Sequence, residues 1–321
     1  MYADFYGLTD LPFRLSPDRR FFFGSTGHEK ALAYLSYGLD QADGFIVITG
    51  EVGAGKTTLV DHLLSDLNQD RFVAARVVTT QLDADDTVRM IATAFGLATV
   101  GLDKATLLHQ LQGTLAATHQ GGRRSLLLVD EAQNLSVRSL EELRMLSNFA
   151  VGHKPLLQSF LLGQPQFRTT IGRPELEQLR QRVIASYHLG PLAPDETRAY
   201  IHHRLGTVGW RGDPQFVDGA FPIIHAESAG VPRRINTLCS RLMLSAFLDE
   251  AHVIDAEIVR SVARDMATEL PLAAMPAIAA AVEGGSVALT GRVAALERKV
   301  SAHDRTIAQA MRMAAEYLEH S

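Results

Sequence analysis

Five short runs in the first two-thirds of the chain are apolar or β-branched almost without interruption: residues 45–49, 72–79, 125–129, 156–162 and 183–189. Unbroken apolar character is what a strand covered on both faces needs, whereas a half-exposed strand would alternate. Between these runs the apolar positions shift to helical spacing, over about residues 27–41 (with Ala31, Leu32, Leu35 and Leu39 on one face), 59–67, 88–95, 106–118 and a short stretch at 174–181. Strands alternating with helices predict an α/β fold, a parallel five-stranded sheet sandwiched by helices. Past Gly190-Pro191-Leu192-Ala193-Pro194 the strand runs stop. Helical patterns at 195–208, 214–228, 232–248 and 255–270, with Asp195 and Asp255 as expected N-caps, predict a small all-helical lid domain.

The two ends differ from this middle. Residues 1–43 are dense in aromatics and prolines, including Phe21-Phe22-Phe23, and are expected to form an arm and helix packing on the nucleotide-binding domain at 44–190. Helical lid residues 191–270 follow, then a linker at 271–290 with Gly284-Gly285-Ser286. Over 291–321, Val293, Leu296, Val300, His303, Ile307, Ala310, Ala314 and Tyr317 keep a four-three spacing, the seam of an amphipathic or coiled-coil-like helix. Self-association and docking on the same chain both satisfy that pattern.

The chemistry begins where the first run breaks. Gly50-Glu51-Val52-Gly53-Ala54-Gly55-Lys56-Thr57-Thr58 fits G-x-x-x-x-G-K-[ST] in full, with a strand before it and a helix after it. The glycines let successive N–H groups turn inward and form an anion cradle at a helix N-terminus. Lys56 brings a mobile charge for the β- and γ-phosphates, and the Thr57 hydroxyl is placed to ligate Mg²⁺. The third run ends in Asp130-Glu131, at the strand terminus where open parallel sheets bind ligands. Asp130 is suited to hold Mg²⁺ through water and Glu131 to polarise an attacking water.

Gln164, at the tip of the fourth run, has two readings: contact with a γ-phosphate or its water, or part of a helix-capping turn before Pro165. Arg180 and Arg182 likewise are either solvated surface charges or guanidinium groups for a neighbouring subunit's γ-phosphate. Arg233 stands in the first turn of a predicted helix, where the macrodipole disfavours a cation, which suggests a phosphate partner.

Composition narrows the partners. With 321 residues, 46% hydrophobic and 21% charged, the chain is globular, and its net charge of −5 provides no general field for nucleic acid. DNA binding would need a local patch such as Arg123-Arg124 or Arg233-Arg234, and is not the favoured reading. The single Cys239 is expected in the core. Neither a signal peptide nor a spanning segment is expected, so the chain reads as cytoplasmic.

These motifs resemble those of the AAA+ ATPases of the ExeA/GspA type. The likeness runs through Phe5-Tyr6-Gly7-Leu8, Pro12-Phe13, Pro17-Asp18, His28, Gly44-Phe45, the loop from Ile48, Leu161-Leu162-Gly163-Gln164-Pro165, Leu179-Arg180-Gln181-Arg182 and Gly230-Val231-Pro232-Arg233-Arg234-Ile235-Asn236, over about residues 1–270. The resemblance implies ATP and Mg²⁺ as cofactors, Lys56 and Thr57 as Walker A, and Asp130 and Glu131 as Walker B. It implies Gln164 near sensor 1, Arg180 or Arg182 as arginine finger and Arg233 as sensor 2. It further implies a homo-oligomer that assembles or remodels an envelope-associated protein partner in a secretion, pilus or exopolysaccharide system, peripheral at the inner membrane through that partner. Two other readings remain: a nucleotide-gated scaffold with little turnover, and an ATP-dependent DNA-associated regulator. Larger members continue into a membrane span and a peptidoglycan-binding domain, which these residues do not suggest.

Overall fold

The sheet is built from the five apolar runs. The computed structural model describes residues 2–16, 18–41, 43–66, 70–79 and 83–269. Strands β1 (Phe45–Gly50), β2 (Phe72–Val78), β3 (Arg124–Asp130), β4 (Leu157–Gly163) and β5 (Val183–Leu189) stand in the order β2-β3-β4-β1-β5. Every pairing is parallel. The central three, β3, β4 and β1, are buried along almost their whole length, as continuous apolar strands should be. Two separate apolar layers flank them. One contains Leu35, Ile48, Leu59 and Phe160, the other Val47, Leu111, Leu127 and Phe167.

Helices α1 (Thr26–Gln41), α2 (Lys56–Asp66), α3 (Ala84–Ala94), α4 (Lys104–Gln120) and α5 (Val137–Leu146) cover the sheet. Helix α5 was not anticipated. Its stripe of Leu140, Leu143 and Leu146 is narrow and set among charged residues, and Ser136 caps it by accepting from Ser139 N–H. The stretch expected as one short helix at 174–181 is a 3₁₀ turn, Pro174–Leu176, followed by a single helical turn, Glu177–Arg180.

Helices α6 (Pro194–Thr207), α7 (Ala220–Ser228), α8 (Pro232–Leu248) and α9 (Ala256–Glu269) form the second core. This region is not purely helical: Gln215–Phe216 pairs with Val253–Ile254 in a two-stranded parallel ladder, so the expected helix at 214–228 begins only at Ala220. Asp255 caps α9 by accepting from Glu257 and Ile258 N–H. Asp195 lies inside α6, and Glu196 instead reaches back to accept from Ala193 N–H at 3.0 Å.

The segment 1–43 divides between the two cores. Helix α1 lies on the sheet through Ala31, Leu35 and Leu39. The arm before it does not: Tyr2, Tyr6, Leu8, Phe13 and Phe21 are buried with Leu192, Tyr200, Ile235 and Cys239 in the helical core. Cys239 is fully buried there, and burial pushes its thiol up, out of reactive range. The linker at 271–290 and the seam at 291–321 lie outside the described residues. No helix among those described is long and apolar enough to cross a membrane.

Candidate functional site

The parallel register places the C-terminal ends of β1 and β3 at the same end of the sheet, one on each side of β4, so the loop after Gly50 and the acids after Val129 meet there. The Thr57 hydroxyl donates to Asp130 Oδ2 at 2.9 Å. Two hard oxygens this close, beside the N–H groups that the start of α2 leaves without intrahelical acceptors, fit a magnesium ion shared with phosphate. Lys56 is almost fully buried, its Nζ donating to Gly50 O at 2.7 Å and Glu51 O at 3.0 Å. Burial lowers its pKa, opposed by the nearby charges of Glu131, Asp130 and Glu51.

Close approach explains two of the glycines. Gly53 and Gly55 have φ of +85° and +97°. A Cβ on Gly55 would stand 2.8 Å from His28 Nε2, and one on Gly53 would stand 2.3 Å from Arg233 Cβ. The loop is thus clasped from both sides, by α1 and by the first turn of α8, whose Arg233 N–H donates to Gly53 O at 3.2 Å. Val52, Ala54 and Thr58 complete the loop, with Val52 and Thr58 lining the adjoining cavity.

That cavity, of about 350 Å³, has three walls. The loop and Glu131 form the first, the arm from Arg14 to His28 the second, and Leu192, Tyr200, Arg204, Arg233 and Asn236 of the helical core the third. Arg14, Tyr200 and Arg204 were not singled out from the sequence, and nothing in their local spacing marks them. Arg204 ties the arm to α6: it donates to Pro12 O, Arg14 O and the Tyr200 hydroxyl, and its guanidinium lies 4.4 Å from the centre of the Phe21 ring. Glu196 adds a second tie, accepting from Thr26 N–H at 2.8 Å.

Around the acids, a network missed by sequence reasoning holds the backbone. Glu131 has φ of +54°, in the left-handed region that costs a non-glycine residue about 1–3 kcal/mol. The Thr79 hydroxyl lies 2.8 Å from Asp130 O and 2.7 Å from Glu131 O and shares its one proton between them, and Asn134 Nδ2 donates to Thr79 O. Arg76 donates to Asp130 Oδ2 at 2.9 Å and also pairs with Asp61. On the carboxylate itself, Glu131 Oε2 accepts from Gln133 Nε2 and, at 3.2 Å, from Gln164 Nε2.

The remaining arginines stand elsewhere. Register pairs Val183 with Phe45 and Leu189 with Gly50, which puts Arg180 and Arg182 at the opposite end of the strands, roughly 20 Å from the loop. Arg182 donates to Ser147 O and Oγ, while the more exposed Arg180 pairs with Glu177. Neither reaches this chain's own cavity.

His28 is the buried titratable group most intimate with the loop. Its Nδ1 lies 2.7 Å from Ser25 Oγ, and burial lowers its pKa below 6.5 despite the opposing influence of Glu196 and a backbone hydrogen bond to Ala54. Stability from keeping this ring neutral is present above the unfolded value and is lost as pH falls through the folded one. Thermal melts are expected to drop as pH is lowered below about 6.5, with His28→Asn flattening part of that slope; the partly buried His202, shifted the same way, supplies another part.

A glycine-rich loop between β1 and α2, acids at the tip of a central parallel strand and helices packed against the loop define a P-loop nucleoside-triphosphatase fold. Residues 39–171 match the family described as AAA domain. The chain is 39% identical over 258 residues to "General secretion pathway protein A" of Aeromonas hydrophila, covering 79% of this chain and 46% of that protein. Over that span it is similar to the ExeA/GspA-like AAA+ proteins, and it spans less than half the length of that curated relative. The fold is shared with the Aeropyrum pernix ORC2 protein (TM-score 0.58, 15% identity, covering 78% of this chain and 72% of that one). It is also shared with Cdc6p of Pyrobaculum aerophilum (TM-score 0.58, 14% identity, covering 79% and 70%).

Proposed function

We propose that the chain binds Mg-ATP in the three-walled cavity and hydrolyses it. The observation that carries this is the meeting of Lys56, Thr57, Asp130 and Glu131 at one edge of the sheet, with Thr57 and Asp130 in direct contact. In this reading the loop from Gly50 to Thr58 and Lys56 hold the phosphates, Thr57 and Asp130 hold the metal, and Glu131 takes a proton from water. The bound Mg²⁺ would supply positive charge to the phosphate oxygens. Gln164 orients the water, and Arg233 reports the phosphates to the helical core. Arg180, the more exposed of the two arginines at the far end of the sheet, completes a neighbouring copy's site, so the working form is a homo-oligomer.

Turnover would move the helical core relative to the loop, and that motion remodels or assembles a protein partner. The likeness to a general secretion pathway protein supports a partner in an envelope system, with this chain at the inner membrane through it. The direct test is Lys56→Ala against wild type, with fluorescent ADP binding and phosphate release measured together. Lys56→Ala is expected to weaken nucleotide binding by at least about tenfold, the loss of one charge-assisted contact of about 1.5–3 kcal/mol, and to abolish turnover. Equal affinity in the two proteins would overturn the site.

A further inference from the structure

A base is only as useful as its aim, and Glu131 is aimed by its neighbour two residues on. Backbone groups can only donate through N–H, which settles the orientation of the Gln133 amide: Gln164 N–H donates to Gln133 Oε1 at 3.0 Å, leaving Gln133 Nε2 to donate to Glu131 Oε2. Gln164 Nε2 donates to the same oxygen at 3.2 Å. One carboxylate oxygen therefore carries two amide donors, and Oε1 has no hydrogen-bond partner among the described residues. All three side chains are half-buried at the tips of β3 and β4.

We infer that Gln133 is a positioning residue for hydrolysis: by clamping Oε2 it turns Oε1 of Glu131 toward the attacking water, and by accepting from Gln164 N–H it fixes the distance between the two residues that face that water. This rests on the reading of Glu131 as the base. A carboxylate on two rotatable bonds beyond Cβ would otherwise sample several rotamers, and the left-handed backbone at Glu131 sets only its starting point. Misplacing a reacting group by about 1 Å costs on the order of a hundredfold in rate.

The test compares steady-state kcat, KM, fluorescent ADP affinity and melting temperature in Gln133→Met, Gln133→Glu and Glu131→Gln. Gln133→Met keeps the side-chain length and removes both hydrogen bonds. It is expected to lower kcat by about 10- to 100-fold while ADP affinity stays within about twofold. Gln133→Glu keeps an acceptor for Gln164 N–H but sets a second negative charge against Glu131. It is expected to lose at least as much as Gln133→Met, whereas near-wild-type turnover in Gln133→Glu would show that Gln133 only ties the two loops together and would overturn the inference. So would unchanged kcat in Gln133→Met, or ADP affinity falling in step with kcat. If Gln133→Met does not fold, Gln133→Asn, whose amide is one carbon too short to reach, carries the same expectation. The control separates the two layers: Glu131→Gln turning over normally overturns the base and Gln133's role with it. Glu131→Gln inactive beside a fully active Gln133→Met overturns Gln133's role alone.

Discussion

Glu131→Gln is expected to lower ATP turnover by about 10²- to 10⁴-fold, the range supplied by a well-placed general base, with nucleotide affinity nearly unchanged. The substitution preserves shape and one carbonyl oxygen, so an acceptor remains for Gln133 or Gln164, and among the described residues the Glu131 side chain makes no hydrogen bond to the loop that holds the phosphates. What disappears is basicity at an atom whose backbone is held by Thr79 at considerable local cost. Single-turnover phosphate release alongside equilibrium binding separates the two quantities. Wild-type rates in Glu131→Gln would remove the water-activation step. If the variant were inactive yet still supported assembly of a partner, nucleotide binding rather than turnover would be what drives that assembly.

The sheet and the phosphate loop could be read from sequence because their signals are local. A strand covered on both faces is apolar along most of its length, and β1, β3 and β4 are, with Thr49, Ser125, Gln158 and Ser159 as buried polar exceptions. The loop and the Asp130-Glu131 tip are contiguous motifs whose strand and helix context is contiguous too. The rest depends on contacts between distant parts of the chain. That Phe21 packs under Arg204 in the helical core, and not on the sheet, depends on that core arriving some 180 residues later. No periodicity in residues 1–43 encodes that choice. The Gln215–Phe216 ladder was missed for the same reason, since its partner is Val253–Ile254. Gln133 did have a local signal, a polar side chain two positions after the acid, but only the register of β3 with β4 shows that it lies against Gln164.

Arg204 is where the arm, the helical core and the cavity are held together, and Arg204→Met is expected to lower stability by about 3 kcal/mol. Arg204 is 6% exposed, and its guanidinium donates to Pro12 O and Arg14 O, two arm carbonyls that would be left with an apolar neighbour. Each such loss is worth about 1 kcal/mol, and a desolvated cation over an aromatic face adds about 1–2. Tyr200 fares better, since its hydroxyl still donates to Asn236 Oδ1. For a unit of this size the change corresponds to a melting temperature lower by roughly 6–12 °C. The functional consequence follows from the arm forming one wall of the cavity: loosening it enlarges the site and weakens nucleotide binding. Saturating ADP raises the melting temperature in proportion to affinity, so that upshift should shrink in Arg204→Met. In Lys56→Ala the upshift is also lost, but the melting temperature without nucleotide stays near wild type, because among the described residues Lys56 donates hydrogen bonds only to its own loop. An Arg204→Met protein that melts like wild type and keeps its full upshift would mean that the arm is held by its buried aromatics alone.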